Sequence, residues 1–362
     1  MAAGFGAACA PLPLRRASSS SGELRWLAWD DAAPRPLVER FQADTGIRLS
    51  VATYAASEEL PARLRAARGG RFDICSPTLT RVPVLAREGL LQPLDEARLP
   101  DLGNIMPGMM KHAADFGAII EGRRYACPYD WRTEALAFKR EAVDLEYGKA
   151  SFGDLWDRAY EGRMTCRLST VLLSTGLWLE RKGDLPEGAM RKAYDQEAAF
   201  DAAYGATARY VAAHKDHIGA LWDGTADVRA AFEDKGCVIG QSGDGPILQL
   251  RNEGRPYGYV APIEGALTWL NGIALCAGAT NLDQAYAFIE WTLQPEIGAI
   301  LADATGYNSV VAGFERHVQP AFRRNFQEAY PGEAIQRLWF MGIEQPWFIR
   351  KLRQTVDKLA AA

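Results

Sequence analysis

Several things are scarce in this chain of 362 residues. Histidine occurs only as His112, His214, His217 and His317. The six cysteines, Cys9, Cys75, Cys127, Cys166, Cys237 and Cys276, form no C-x-x-C pair, which excludes zinc-ribbon and thioredoxin readings. No uninterrupted apolar run reaches the ~18 residues of a membrane span. There is no basic excess: 41 Lys and Arg face 45 Asp and Glu, a net charge of −4, so nucleic acid is not an expected partner. P-loop and dinucleotide glycine fingerprints are missing, and no cofactor is expected. What is present is ordinary for a globular chain, with 48% hydrophobic and 24% charged residues. That length allows one large domain or two lobes, and a sizeable core.

Residues 1–22 read as a signal-like or disordered segment. Ala2 to Leu14 is small and apolar and is interrupted by Gly4, Gly6, Pro11 and Pro13; Arg15, Arg16 and a serine run follow. Leading basic charges, which an export signal needs, are missing. Gly6-Ala7-Ala8-Cys9 is similar to a weak lipoprotein cleavage box. Either a signal begins further upstream, with Cys9 as a lipid attachment point, or this is a tail. The other five cysteines are an odd number, and four sit in short apolar strand-like runs. They read as buried small hydrophobes rather than as a disulfide framework.

From residue 23 the pattern alternates strand and helix. Leu24 to Trp29 is a strand candidate. Pro36 opens a helix with Leu37, Val38 and Phe41 on one face, and Gly46 closes it. Ile47 to Tyr54 alternates as a half-buried strand does. Ser57 caps a helix through Leu60 and Leu64 that ends at Gly69-Gly70. Arg71 to Cys75 is a third strand, and Val82, Val84 and Leu85 lie on the next helix. Such repeats predict a mostly parallel sheet covered by helices. Further on, Ala135 to Phe138, Met164 to Cys166, Cys237 to Gly240 and Leu270 to Cys276 read as strands. Helices are expected over 169–179, 190–200, 206–214 and 228–235. Ser242 to Gly245 reads as a loop leading to Pro246 at the start of a helix, and Asn281 with Gln284 as a capping box.

In this order the segments resemble the periplasmic solute-binding proteins of ABC importers, within them the spermidine/putrescine-binding branch. The residues that carry the likeness are Trp29-Asp30-Asp31 with Pro34, Asp44 to Ile47, Phe72 to Pro77 and Arg87 to Asp95. Tyr125 to Tyr129 with Trp131, Ser151 to Trp156, Pro262 to Trp269 and Thr305 to Asn308 continue it. It spans about residues 23–310. The resemblance implies a two-lobed α/β periplasmic-binding-protein fold (type II), each lobe a mixed sheet flanked by helices, with the ligand cleft between them. Lobe 1 would be 23–130 plus 270–315, and lobe 2 would be 131–269 plus 316–362. It implies a monomeric, non-enzymatic receptor of the periplasm that closes on a small solute and delivers it to a membrane permease.

In the resembling family an aromatic box holds the ligand's carbon chain and carboxylates hold its ammonium groups, helped by cation–π attraction. Trp29, Trp269 and Tyr307 match aromatics of that box, and Thr78 is a further polar contact. The acidic positions match poorly. Asn271 stands where the family has a carboxylate, Ser169 and Leu172 fall near its acidic pair, and Gln241 falls at an aromatic. Buried charges need paired acceptors, so a polycation fits badly. Arg132 and Arg167 stand instead at the crossover and before a helix start, where a guanidinium suits a carboxylate, sulfonate or phosphate. Asp30, Asp31 and Asp244 remain to hold an amine, although Asp31 and Asp244 also suit helix caps. This mixture favours a zwitterionic or anionic solute; the alternative is a putrescine or spermidine receptor. A second alternative is an α/β hydrolase using Ser242 with Asp244, since Gly240 to Asp244 begins like a nucleophile elbow but lacks its last glycine. His214 and His217 lie one turn apart without a third ligand, so they read as a solvated helix face and no metal is expected.

Overall fold

The computed structural model describes residues 22–55, 59–67 and 70–361. The signal-like segment with Cys9, and the cap and terminator expected at Ser57 and Gly69, lie outside them. The chain opens with β1 (Glu23–Trp29), α1 (Arg35–Thr45), β2 (Arg48–Tyr54), α2 (Glu59–Ala66), β3 (Ile74–Cys75) and α3 (Val82–Arg87). Helix α1 follows its sequence signals. Pro36 sits in the first turn, where its missing N–H is no loss. Leu37 and Phe41 are buried, and Gly46 closes the helix at φ 73°, a conformation glycine adopts without strain. Strand β1 pairs in parallel with both β2 and β3.

Next come β4 (Leu91–Gln92) and the long β5 (Ala126–Lys139), then β6 (Met164–Cys166), α4 (Leu168–Lys182) and α5 (Glu197–Ala213). Strands β7 (Ile218–Leu221) and β8 (Ile239–Gly243) lead to α6 (Asp244–Asn252), β9 (Tyr257–Val260) and β10 (Leu267–Cys276). Helix α7 (Leu282–Thr292), β11 (Asn308–Ser309), β12 (Trp339–Phe340) and α8 (Pro346–Ala361) follow. One mixed sheet of 12 strands runs in the order β2-β1-β3-β10-β5-β8-β6-β7, with β4 and β12 on β10, and β9 and β11 on β5.

The antiparallel pair β5–β10 positions the site. Trp269 lies opposite Arg132 and Asn271 opposite Asp130, with a register shift between Asn271 and Gly272. Because side chains alternate along a strand, Asp130, Arg132 and Glu134 share one face of β5, beside Trp269 and Asn271. Further along β5 the alternation divides two cores. Ala135 and Ala137 belong to one, with Trp26, Phe41, Ile74 and Phe288. Leu136 and Phe138 belong to the other, with Phe152, Leu172, Phe200, Tyr204 and Phe348. The first core also takes in Ile247, Leu248, Tyr257 and Tyr259, beyond the stretch expected of lobe 1, because β9 pairs along β5.

Some local expectations fail. The helix expected over 190–200 is only Ala189–Lys192; the chain turns, goes extended at Gln196, and restarts as α5. That turn lets Tyr194 stack on Phe348 at 4.4 Å. The expected loop 242–245 instead ends β8 and begins α6. The five described cysteines are free and buried. Asn281 makes no side-chain cap; its Nδ2 donates to Asp73 at 3.0 Å.

Asp73 is fully buried and joins three segments. It accepts from Arg25 N, Nε and Nη2 at 3.0, 2.9 and 2.9 Å, and from the N–H groups of Thr280 and Asn281 at 3.1 Å each. Burial raises its pKa, but the Arg25 and Asn281 donors outweigh that and bring it to about 2. Asp73→Ala leaves these donors and a partly buried guanidinium uncompensated, so we expect a loss of about 3–5 kcal/mol. Urea unfolding measures it, and an unchanged midpoint contradicts this role.

Candidate functional site

The residues that alternate on β5 carry charge into the seam between the two cores. Arg132 is 7% exposed, and a guanidinium so placed needs carboxylates. Its Nη1 donates to Asp31 Oδ2 at 2.6 Å and its Nε to Asp130 Oδ1 at 3.1 Å. Its Cζ lies 3.7 Å from the centre of the Tyr307 ring. Burial lowers its pKa, yet Asp130 and Asp31 outweigh that and hold it well above its ordinary value. The two carboxylates respond differently. Burial keeps fully buried Asp130 above the usual range despite Arg132. Burial also raises Asp31, but there Arg132 prevails and the pKa stays low. Oδ1 of Asp31 and Oδ2 of Asp130 are buried and have no hydrogen-bond partner among the described residues.

Hydrogen bonds run from this ion cluster to an apolar pocket. Asn271 Nδ2 donates to Asp130 Oδ1 at 2.8 Å, and the Thr78 hydroxyl donates to Asn271 Oδ1 at 3.0 Å. Thr78 lines a small, partly open cleft with Trp29, Tyr54, Leu60, Arg81 and Ile349. Trp29 and Tyr54 pack ring on ring, with centroids 4.5 Å apart. The Trp29 indole N–H is buried and finds no acceptor among the described residues. A wall of this kind suits a short carbon chain with a polar end.

On the other side of the seam Glu134 is buried. It accepts from Gln241 Nε2 at 3.0 Å and pairs with Arg167 Nη1 at 3.3 Å. Gln241 Oε1 accepts from the Ser174 hydroxyl at 2.5 Å. Arg167 also lies over the Trp222 ring at 4.1 Å and donates to the Asp223 carbonyl. Beneath the seam Asp244 is fully buried. Its Oδ2 accepts from Asn308 Nδ2 and the Tyr330 hydroxyl at 2.8 Å each, and its Oδ1 from Gly245 N. Burial outweighs these donors and lifts its pKa to about 6.

A sequence profile for bacterial extracellular solute-binding proteins matches residues 36–324. The chain belongs to this family. The solute-binding protein resembles the spermidine/putrescine-binding periplasmic protein of Escherichia coli K12, at 25% identity over 300 residues that cover 80% of this chain and 78% of that one. It resembles the putrescine/agmatine-binding protein of Pseudomonas aeruginosa at 27% identity, with 77% and 76% covered. Among solved structures, the spermidine/putrescine ABC transporter substrate-binding protein of Streptococcus pneumoniae superposes with a TM-score of 0.76 and 19% identity, over 94% of this chain and 99% of that one. The fold is therefore the type II periplasmic-binding-protein fold, and the protein is a solute receptor of an ABC importer, not an enzyme. The Escherichia coli relatives are named as periplasmic proteins. No helix among the described residues is long and apolar enough to cross a membrane.

The receptor's structure gathers Asp31, Asp130, Arg132, Asn271, Thr78 and Tyr307 into one cluster, with Trp29 at the pocket and Trp269 beside Arg132. Gln241 and Arg167 meet at Glu134, and Asp244 sits in the network below. Asp30 is exposed at the end of β1, and burial and Asp31 raise its pKa. Ser169 is half-buried in the first turn of α4. Asp244 does not serve as a side-chain cap for α6 beyond its bond to Gly245. Arg132 and Arg167, expected as partners for an anion, are each paired with carboxylate. The hydrolase alternative fails because the chain belongs to a solute-binding family; the Ser242 hydroxyl donates to the Gly243 carbonyl. His217 is buried beside Trp156 rather than on a solvated face. The described residues hold no cluster of metal ligands.

Sequence reading missed Asp130, Glu134, Tyr54 and Tyr330. Asp130-Trp131-Arg132-Thr133-Glu134 did carry a signal, a period-two run of charges that a strand puts on one face.

Asp244 gives a pH dependence. Its pKa of about 6 in the fold exceeds the ordinary 3.8, so the native state holds the proton more tightly. That stabilisation is complete below about pH 4 and is lost as pH rises through about 6, on the order of 3 kcal/mol. Glu290, lifted to about 7 by burial and then by Asp101, acts in the same direction. The melting temperature is expected to rise as pH falls from about 7 to about 5. Asp244→Asn flattens part of that slope, and an unaltered slope contradicts the assignment.

Proposed function

We propose that this receptor captures a small organic solute carrying at least one ammonium group and a short apolar chain. The observation that carries this reading is the charge balance of the seam. Asp30, Asp31, Asp130, Glu134 and Asp244 outnumber the guanidinium groups of Arg132 and Arg167, Arg81 at the pocket wall is matched by Glu344, and each of the three arginines is already paired with carboxylate. Arg132 is held by two carboxylates that keep one oxygen each without a partner. Unpartnered buried acceptors are costly until a donor meets them, and an ammonium brings up to three N–H donors together with the missing positive charge.

The chain of the solute would lie against Trp29 and Tyr54, with its ammonium toward Asp130 and Asp31 and Tyr307 on the far side of Arg132. The Trp29 N–H offers a donor to an acceptor elsewhere on the solute, so an amino compound with a hydroxyl or carboxylate end also fits. The names of the relatives, which bind putrescine, spermidine or agmatine, support an amine. A purely anionic solute would face uncompensated carboxylates. The receptor would act as a monomer whose closed form docks on the permease.

Calorimetry with putrescine, 4-aminobutyrate and glutarate tests this, since the three share a similar length but differ in charge. Putrescine or 4-aminobutyrate is expected to bind at micromolar concentration and glutarate not at all. Asp130→Asn weakens amine binding by about tenfold or more, as loss of a buried charged partner does. Tighter binding of glutarate than of either amine overturns the reading.

A further inference from the structure

The segment between β12 and α8 connects the seam to the apolar pocket. Strand β12 pairs with β10 beside Trp269, placing Trp339 opposite Leu267 and Phe340 opposite Thr268. Gly342 then passes so close to the Tyr194 ring that a Cβ there would lie 2.6 Å from it. Tyr194, Phe348 and Leu359 are members of the second core, so α8 packs with that core, while Phe340 at the start of this segment belongs to the first. Arg81 stands immediately before α3, whose Val82 and Leu85 are members of the first core.

These two bodies are tied by side chains at the pocket. Arg81 Nε meets Glu344 Oε2 at 2.6 Å, with the side chains 20% and 15% exposed. Beside it, Arg87 Nη2 donates to Gln345 Oε1 at 3.3 Å. Five residues after Glu344, Ile349 forms part of the same pocket wall as Arg81, Trp29 and Tyr54. A second bridge lies further along: Arg191, next to Met190 of the second core, sits over Trp339 at 3.9 Å and over Phe116 of the first core's rim at 5.4 Å.

We infer that the Arg81–Glu344 ion pair is a latch between the two cores, which holds Ile349 over the pocket and governs how readily the seam opens. The pair is shielded enough from solvent to be screened less than a surface pair, and separating it leaves two partly desolvated charges. It therefore biases the receptor toward the closed arrangement before any solute arrives. A receptor biased in this way spends less of its binding energy on closure and releases its solute more slowly. Arg81 and Glu344 are thus positioning residues for capture. The effect on the solute rests on the reading of this pocket as its site; the effect on closure does not.

Small-angle X-ray scattering of the solute-free protein reads the latch directly. Glu344→Gln is expected to increase the radius of gyration, while the paired exchange Arg81→Glu with Glu344→Arg restores the wild-type value. Stopped-flow release of putrescine, used as the probe, is expected to speed up about fivefold in Glu344→Gln and to slow again in the exchanged pair. Equal radii for wild type and Glu344→Gln overturn the latch, as does an expansion that the exchanged pair does not reverse. If putrescine binds none of the variants, the scattering result alone upholds or overturns the latch, and the solute reading is decided by the calorimetry above.

Discussion

A guanidinium removed from water demands compensation, and Arg132 obtains it from three directions. Asp130 lies two residues earlier on the same face of β5. Asp31 reaches over from the turn after β1, and the Tyr307 ring comes from the approach to β11. The interaction therefore fixes the mutual position of three segments far apart in sequence. It also decides the polarity of the seam. With one cation held by two carboxylates, the local balance is negative, and this is the ground on which an amine is proposed as the solute. Asn271 passes this arrangement on to Thr78 and so to the aromatic pocket.

Strands β5 and β10 explain how a seam can exist inside one continuous sheet. Each passes from one core to the other, so the cores share hydrogen-bonded backbone yet pack their side chains separately. The Asp244 network lies where these elements converge. It binds the start of α6 to Asn308 and Tyr330, while Thr133 of β5 bonds to Tyr330 and Tyr259. Such a buried polar node suits a pivot, because it holds strand ends in register without demanding large apolar contacts. Closure then depends on contacts away from the pivot, where the segment before α8 reaches α3.

Much of the fold was legible in the sequence because local signals agreed with tertiary structure. Pro36, Leu37, Phe41 and Gly46 specified α1, and alternation specified β2. The family resemblance rested on short motifs whose order matched, and it gave the two-lobed architecture. Local signals failed where tertiary packing overrode them. Asn281 had the pattern of a cap, but buried Asp73 offered it a stronger partner. The stretch 190–200 had helical periodicity, but Tyr194 was drawn into an aromatic stack. The site was half legible. Trp29, Asp31, Arg132, Asn271 and Tyr307 were named singly, yet their pairing was invisible, since sequence does not show which carboxylate neutralises which arginine. Arg132 was read as a partner for anions without sight of the carboxylates beside it. Asp130 escaped notice because the crossover strand was recognised only in part.

The central claim is that the seam selects a positively charged group. Its most direct measurement is the chemical identity of the solute retained by receptor isolated from its own host, released by denaturation and identified by mass spectrometry. The account predicts a compound with at least one amine on a short apolar chain. A stoichiometric solute without any amine would contradict it.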